Sequence, residues 1–234
     1  MLQSASYRRE RALWPQGLFR EPDLRVRLEG GALPAEMMAP MSQDTTRLRE
    51  TLATFAEEEA AVKIVLANED WDIVHGFVVG LTVEWVALQQ ITDSVHFDGF
   101  GFYRIDRIAE VYRGAGAAGA AYLQRAIDEL GRPPIPFRVP PDATIRDLVA
   151  LGSESSALVW IATEDGDSET TAVGKVRGLR ETEFDLQRIE ANGVWYEHVD
   201  SWEYTDVTSV GFCTRYLEAF ARFGDPLPAQ PEGN

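Results

Sequence analysis

At 234 residues, with 45% hydrophobic and 26% charged side chains, the chain has the composition of a folded globular protein and room for one large domain or two small ones. Its formal net charge of −16, from 22 basic and 38 acidic residues, repels phosphate backbones and removes the counterion-release term that drives nucleic-acid affinity. No apolar run approaches the ~18 residues a membrane span needs, no apolar core follows Arg8, Arg9 and Arg11, and Cys213 is the only cysteine, which leads to the expectation of a reducing, cytoplasmic setting without a secretory signal.

The charge is unevenly spread. Residues 1–49 hold 8 basic and 6 acidic side chains, leaving 14 and 32 for the remainder. Lysine occurs only at Lys63 and Lys175, and the wealth of Arg, Ala, Gly and Pro reads as the codon bias of a GC-rich bacterial genome.

In chain order, residues 1–41 come first. Pro15, Pro22, Pro34 and Pro40 mix there with Gly17, Gly30 and Gly31 without a helical or strand period, so a disordered arm is expected, or a true start at Met38 or Met41. Ser42 or Asp44 can cap a helix whose apolar positions are Leu48, Leu52, Phe55 and Ala56. Strands are expected at Val62 to Leu66, Val74 to Thr82, Trp85 to Thr92, Phe100 to Ile105 and Ile108 to Tyr112, with an Asp98-Gly99 turn between the third and fourth. A helix from Tyr122 to Leu130 stops at Gly131 and Pro133-Pro134.

The pattern then returns. A shift of 98 residues brings Gly76-Phe-Val-Val-Gly-Leu81 onto Gly174-Lys-Val-Arg-Gly-Leu179 and Leu88-Gln-Gln-Ile91 onto Leu186-Gln-Arg-Ile189. A shift of 99 brings Ile105, Ile108 and Val111 onto Tyr204, Val207 and Val210, and one of 94 brings Tyr122-Leu123 onto Tyr216-Leu217. The upstream helix recurs with Asp142 as its expected cap and Ile145, Leu148 and Val149 as its stripe, followed by a strand at Leu158 to Ile161. The expected organisation is an arm at 1–41, a first repeat at 42–132, a second at 140–225 and a disordered tail at 226–234.

The expected fold class is mainly β with flanking helices: two tandem five-stranded barrels, each helix-β5-helix, because closure removes exposed strand edges. Paired glycines four apart, Gly76 with Gly80 and Gly174 with Gly178, suit the bend of a barrel corner. The stretch Gly76-Phe-Val-Val-Gly-Leu-Thr-Val-Glu-Trp-Val-Ala-Leu88 resembles the first half of the Sm signature, and the arrangement resembles the Sm-like and SH3-like small barrels over about 50 residues per repeat. It also resembles acidic bacterial proteins of unassigned activity that carry one such barrel. The resemblance implies the fold. The family's second motif carries a glycine at its nucleotide pocket, and here those strands read Ile105-Asp-Arg-Ile108 and Tyr204-Thr-Asp-Val207.

Chemistry-bearing motifs are sparse. Gly114-Ala-Gly116-Ala-Ala-Gly119 has the letters of a dinucleotide loop but lacks a parallel βαβ setting and has no counterpart in the second repeat. His96-Phe-Asp98 and His198-Val-Asp200 fall in the same hairpin region of both repeats, so His96, Asp98, His198 and Asp200 form a weak candidate set for a divalent ion. Cys213 sits in an apolar run and reads as an inert thiol. Trp195, Tyr196 and Trp202, beside Glu197 and Asp200, combine amphipathic rings with carboxylates, the composition of a protein contact that steers a basic partner. The functional expectation is a non-enzymatic interaction, adaptor or immunity-type module needing no cofactor, whose partner is a protein of basic character. An Sm-like RNA-binding protein is the alternative and a metal-dependent enzyme the third reading.

Overall fold

The computed structural model describes residues 45–67, 72–92, 96–114, 121–130, 138–165 and 168–229, all within one compact unit, Ser42–Asn234. The expected arm at 1–41, the caps Ser42 and Asp44, and most of the expected tail lie outside the described residues.

Helix α1 (Thr45–Glu57) is followed by β1 (Ala61–Leu66), β2 (Ile73–Leu81), β3 (Trp85–Ile91), β4 (Phe97–Arg104), a one-turn 3₁₀ helix (Ile105–Arg107), β5 (Ile108–Arg113) and α2 (Ala121–Leu130). Then come α3 (Ile145–Ser155), β6 (Val159–Asp165), β7 (Ser168–Leu179), β8 (Glu183–Arg188), β9 (Asp200–Glu203), a second 3₁₀ turn (Tyr204–Asp206), β10 (Val207–Phe212) and α4 (Arg215–Phe223). The described residues are thus mainly β with four α-helices. Helix α3 begins at Thr144, whose side chain accepts from Asp147 N while Asp147 returns the bond to Thr144 N. The cap is therefore Thr144 rather than Asp142, because only Thr144 has a carboxylate three residues on to close the box.

The ten described strands belong to one antiparallel sheet in the order β5-β1-β2-β3-β4-β10-β6-β7-β8-β9. Two separately closed barrels were expected; the sheet is single and open. Strand β4, which would have to meet β5 to close the first five strands, pairs with β10 instead, at Phe100↔Phe212, Gly101↔Gly211, Phe102↔Val210 and Tyr103↔Ser209. Rings fill this seam. Phe212 stacks on Phe100 at 5.4 Å and tilts against Phe102 at 5.3 Å, while Tyr103 lies 6.3 Å from Trp160. Polar ties flank it: Arg104 donates to the Thr205 carbonyl, Arg107 pairs with Glu164, and Asp98 accepts from Arg215 N at the start of α4. The buried Tyr103 hydroxyl is held well above the usual phenol range by burial, which its bond from Gln90 only partly offsets.

The ladder breaks at corresponding places. Pairing skips Val79 between β2 and β3 and Arg177 between β7 and β8. It skips Ala109 between β1 and β5, and Thr208 between β6 and β10. The turn after β5 has Gly114 at φ 60, and the turn after β10 has Cys213 at φ 55. A Cβ on Gly76 would stand 2.4 Å from the Gln89 carbonyl oxygen, and one on Gly174 2.3 Å from that of Gln187. Both strands approach their neighbour's backbone too closely for any side chain.

Two cores lie on the sheet. Leu48 and Leu52 of α1 pack with Val62, Ile64, Val78, Val86, Leu88, Tyr103 and Ile108, drawn from all of β1 to β5. Leu148 and Val149 of α3 pack with Val159, Ile161, Phe184, Leu186, Val210 and Phe212, and this core continues across the seam to Phe100, Phe102 and Trp85. The two cores lie on opposite faces of the sheet, as the alternation of Trp85 and Ala87 with Val86 and Leu88 along β3 shows, and each half carries a smaller cluster on its other face, under α2 at Ile127 and under α4 at Leu217.

Candidate functional site

Strand β7 bends at its bulge, and the bulge residue Arg177 turns its guanidinium onto Gln187 Oε1 (Nε to Oε1, 2.8 Å) and onto the Pro228 carbonyl at 2.6 Å. Bulges commonly redirect a side chain in this way. Past β8, Ile189 bridges to Trp195 around a tight turn in which Asn192 Oδ1 accepts from Val194 N and Gly193 takes φ 86. The C-terminal segment returns here. Asp225 N donates to the Gly193 carbonyl, Trp195 Nε1 donates to the Asp225 carbonyl at 2.9 Å, and Arg177 holds Pro228. Asp225 and Pro228 are thus tied to this turn and to Arg177.

Each candidate contact residue has a definite place. Trp195 is half-buried and packs on the cluster of Leu158, Val173, Ile189 and Leu217, so it seats the C-terminal segment as well as facing outward. Tyr196 is half-buried, with the Arg188 guanidinium 4.3 Å from its ring centroid and His198 edge-on at 5.7 Å. Arg188 also binds Asp200, Nε to Oδ2, at 2.5 Å, so Tyr196, Arg188 and Asp200 form one stacked, ion-paired unit. Glu197 and Glu203 are exposed. Trp202 leans on the core around Phe184, and its buried indole N–H has no partner among the described residues. Arg180 bridges Glu183 and both oxygens of Asp185, and those bonds, Glu183 first, raise its affinity for its proton further. The hairpin therefore presents rings and carboxylates over an internally neutralised arginine layer.

Of the four candidate metal ligands, His198 and Asp200 lie side by side, and Asp98 and Asp200 already have partners. Asp98 serves the N-terminus of α4, and Asp200 is committed to Arg188, with His198 Nε2 at 3.2 Å from its second oxygen. The two His-x-Asp pairs also differ in register, since Phe97 lies opposite Ile91 as Trp195 lies opposite Ile189, and Gly101 opposite Leu88 as Asp200 opposite Leu186. Among the described residues no three His, Cys, Asp or Glu side chains gather. Cys213 is partly exposed, bonds to the Ser155 carbonyl, and has its thiol pushed up by burial.

The sequence reading missed Arg177, Arg188 and the C-terminal clasp. One signal was present: Arg177 is a charge inside Gly174-Lys-Val-Arg-Gly178 where the matching stretch has Val79. No helix of the described residues is long and apolar enough to cross a membrane. The chain matches no protein-family model, no curated protein and no solved structure.

Proposed function

We propose that the chain is a non-enzymatic protein-interaction module, a tandem duplication of a small Sm-like barrel unit, whose contact surface is the β8–β9 hairpin. The duplication is supported by the equivalent bulges at Val79 and Arg177 and at Ala109 and Thr208, because bulges are inherited features of a fold. The barrel character is supported by a single core that draws on all of β1 to β5, as a strongly curled sheet requires.

The observation that carries the functional reading is the unit formed by Tyr196, Arg188 and Asp200. A ring pre-set by a guanidinium and a carboxylate loses little conformational entropy on binding, and preorganised aromatics make effective anchors. Exposed Glu197 next to Tyr196 and exposed Glu203 at the other end of β9, on a chain of net charge −16, suit a partner of basic character. Affinity capture from the native host by the wild-type chain and by Tyr196→Ala and Glu197→Lys tests this. A partner retained by the wild type and lost from both variants at unchanged melting temperature supports the surface, and equal capture by all three refutes it.

A further inference from the structure

Gln187 of β8 is polar and yet buried, at 4% exposure, and both ends of its amide are used. Its Oε1 accepts from Arg177, through Nε at 2.8 Å and through Nη2, and its Nε2 donates to the Tyr196 carbonyl at 3.1 Å. Arg177 Nη2 also donates to the Pro228 carbonyl at 2.6 Å. One run of hydrogen bonds therefore leads from the C-terminal segment, through Arg177 and Gln187, to the backbone of the contact ring. The first half shows which part of this run is ordinary. Gln89 holds the corresponding place on β3, is buried at 5% exposure, and donates from Nε2 to the Gly99 carbonyl at 2.8 Å. A buried glutamine that binds a carbonyl of the returning chain thus belongs to both halves. The bulge beside Gln89 carries Val79, an apolar side chain with nothing to offer that amide, whereas the bulge beside Gln187 carries Arg177. Among the described residues, the link to a terminal segment exists only in the half that bears the contact surface.

The two ends of the run are held differently. Asp225, Pro226, Leu227 and Ala229 are exposed, and the segment is fastened by its backbone: Asp225 N on the Gly193 carbonyl, the Asp225 carbonyl on Trp195 Nε1, and the Pro228 carbonyl on Arg177. A segment with no fully buried side chain is a unit of low local stability that opens on its own. At the other end, Tyr196 to Val199 lie between the Trp195 bridge and β9, outside the ladder. The Tyr196 backbone is held by its N–H on the Arg188 carbonyl at 3.0 Å and by Gln187 on its own carbonyl. A guanidinium on Oε1 fixes which way the Gln187 amide faces. It also polarises the amide N–H toward Tyr196, because hydrogen bonds in a chain strengthen one another.

We propose that the C-terminal segment is a strap that regulates the hairpin, with Arg177 and Gln187 as the positioning residues between them. Docked, the strap fixes Arg177, Arg177 orients Gln187, and Gln187 holds Tyr196 in its pose on Arg188. Undocked, it takes the Pro228 carbonyl from Arg177, the Gln187 amide is no longer oriented, and the ring loses the preorganisation that favours binding. Coupling of this kind is reciprocal: a partner seated on Tyr196 tightens the strap, and a molecule that takes the C-terminal segment weakens the hairpin. The docked and undocked strap is the two-state element that both sites bias. The inference rests on the reading of the β8–β9 hairpin as the contact surface, and it adds how that surface is controlled.

The test is amide exchange in the whole chain without any partner, followed residue by residue by NMR. Arg177→Val gives the second bulge the residue of the first. It is expected to speed exchange about tenfold at both Tyr196 and Asp225, the loss of one charge-assisted bond, with the amides of β6 unchanged. Asp225→Pro removes only the donor to Gly193, since Gly224 at ψ 172 already suits a following proline, and is expected to speed exchange at Tyr196 severalfold. Gln187→Glu keeps the acceptor for Arg177 but has no donor for the Tyr196 carbonyl. It is expected to speed Tyr196, to leave Asp225 protected, and to make Asp225→Pro silent at Tyr196 when the two are combined. Unchanged exchange at Tyr196 in folded Arg177→Val or in Asp225→Pro overturns the proposal. So does an undiminished effect of Asp225→Pro in the Gln187→Glu background, and this comparison decides alone if Arg177→Val does not fold. Since no partner is present, a hairpin that captures nothing leaves these rates as they are, so failure of the strap and failure of the contact surface are told apart.

Discussion

Gly211 crosses the seam directly beneath Trp160, and a Cβ there would stand 1.9 Å from the indole Nε1. Gly211→Ala forces the ring or the strand to move within a packed core, and overpacking of that kind costs about 2 kcal/mol; a denaturant melt reads it as a lower midpoint at unchanged slope. Thr144 carries a second expectation. It closes the capping box of α3, and Thr144→Ala should cost about 1 kcal/mol. Its partner Asp147 has its carboxyl held below the usual range by the bond from Thr144 N first and from the Thr144 hydroxyl next. A depressed folded value means that its contribution is complete above the unfolded carboxylate range and is lost as pH falls through the folded value. Asp147→Asn should therefore flatten the acid limb of stability against pH and leave the neutral limb displaced but parallel. The Thr144-x-x-Asp147 spacing is readable in the sequence, whereas Asp142 has Ile145 three residues on and cannot close a box.

At the scale of elements, the strands were legible because β-branched and aromatic residues alternate between turn signals. Strands β1 to β3 and β5 lie within one or two residues of the expected spans, and Leu48 and Leu52 of α1 are buried as their spacing implied. Strand β4 begins earlier, at Phe97, because the turn that Asp98-Gly99 signalled is taken up within the strand. The hairpin β8–β9 was less legible. One residue more lies between Trp195 and Asp200 than between Phe97 and Gly101, and on either side of that slip His198 falls three or four residues beyond the match of His96, so the two His-x-Asp pairs share a hairpin region but not a position. Trp195 and Tyr196 are neighbours with different duties. Trp195→Ala removes part of the α4 cluster and the bond to Asp225, so it should lower stability by about 2 kcal/mol, less than full core truncation because the ring is half-buried. Tyr196→Ala strips the stack on Arg188 and the edge contact with His198 and should cost under about 1 kcal/mol. Comparing the two melts separates a structural ring from a contact ring.

For the whole molecule, composition indicated the class and the internal matches indicated two like halves, but nothing in either half announced that β4 would leave β5 for β10. Pairing between strands more than a hundred residues apart is written only in complementarity, here the small and ring residues Phe100, Gly101 and Phe102 against Val210, Gly211 and Phe212. The acidity of the chain leads to an expectation about nucleic acids: at near-physiological salt, micromolar protein should shift neither single-stranded RNA nor duplex DNA, and a salt-sensitive shift would speak for the nucleic-acid alternative. The central claim is that the halves share one sheet. It is tested most directly by placing a protease site within residues 131–137, between α2 and α3, cleaving, and passing the product over a sizing column. The seam predicts that the two fragments co-elute as a one-to-one complex and part only in denaturant. Fragments that separate under native conditions, each still compact, would contradict it.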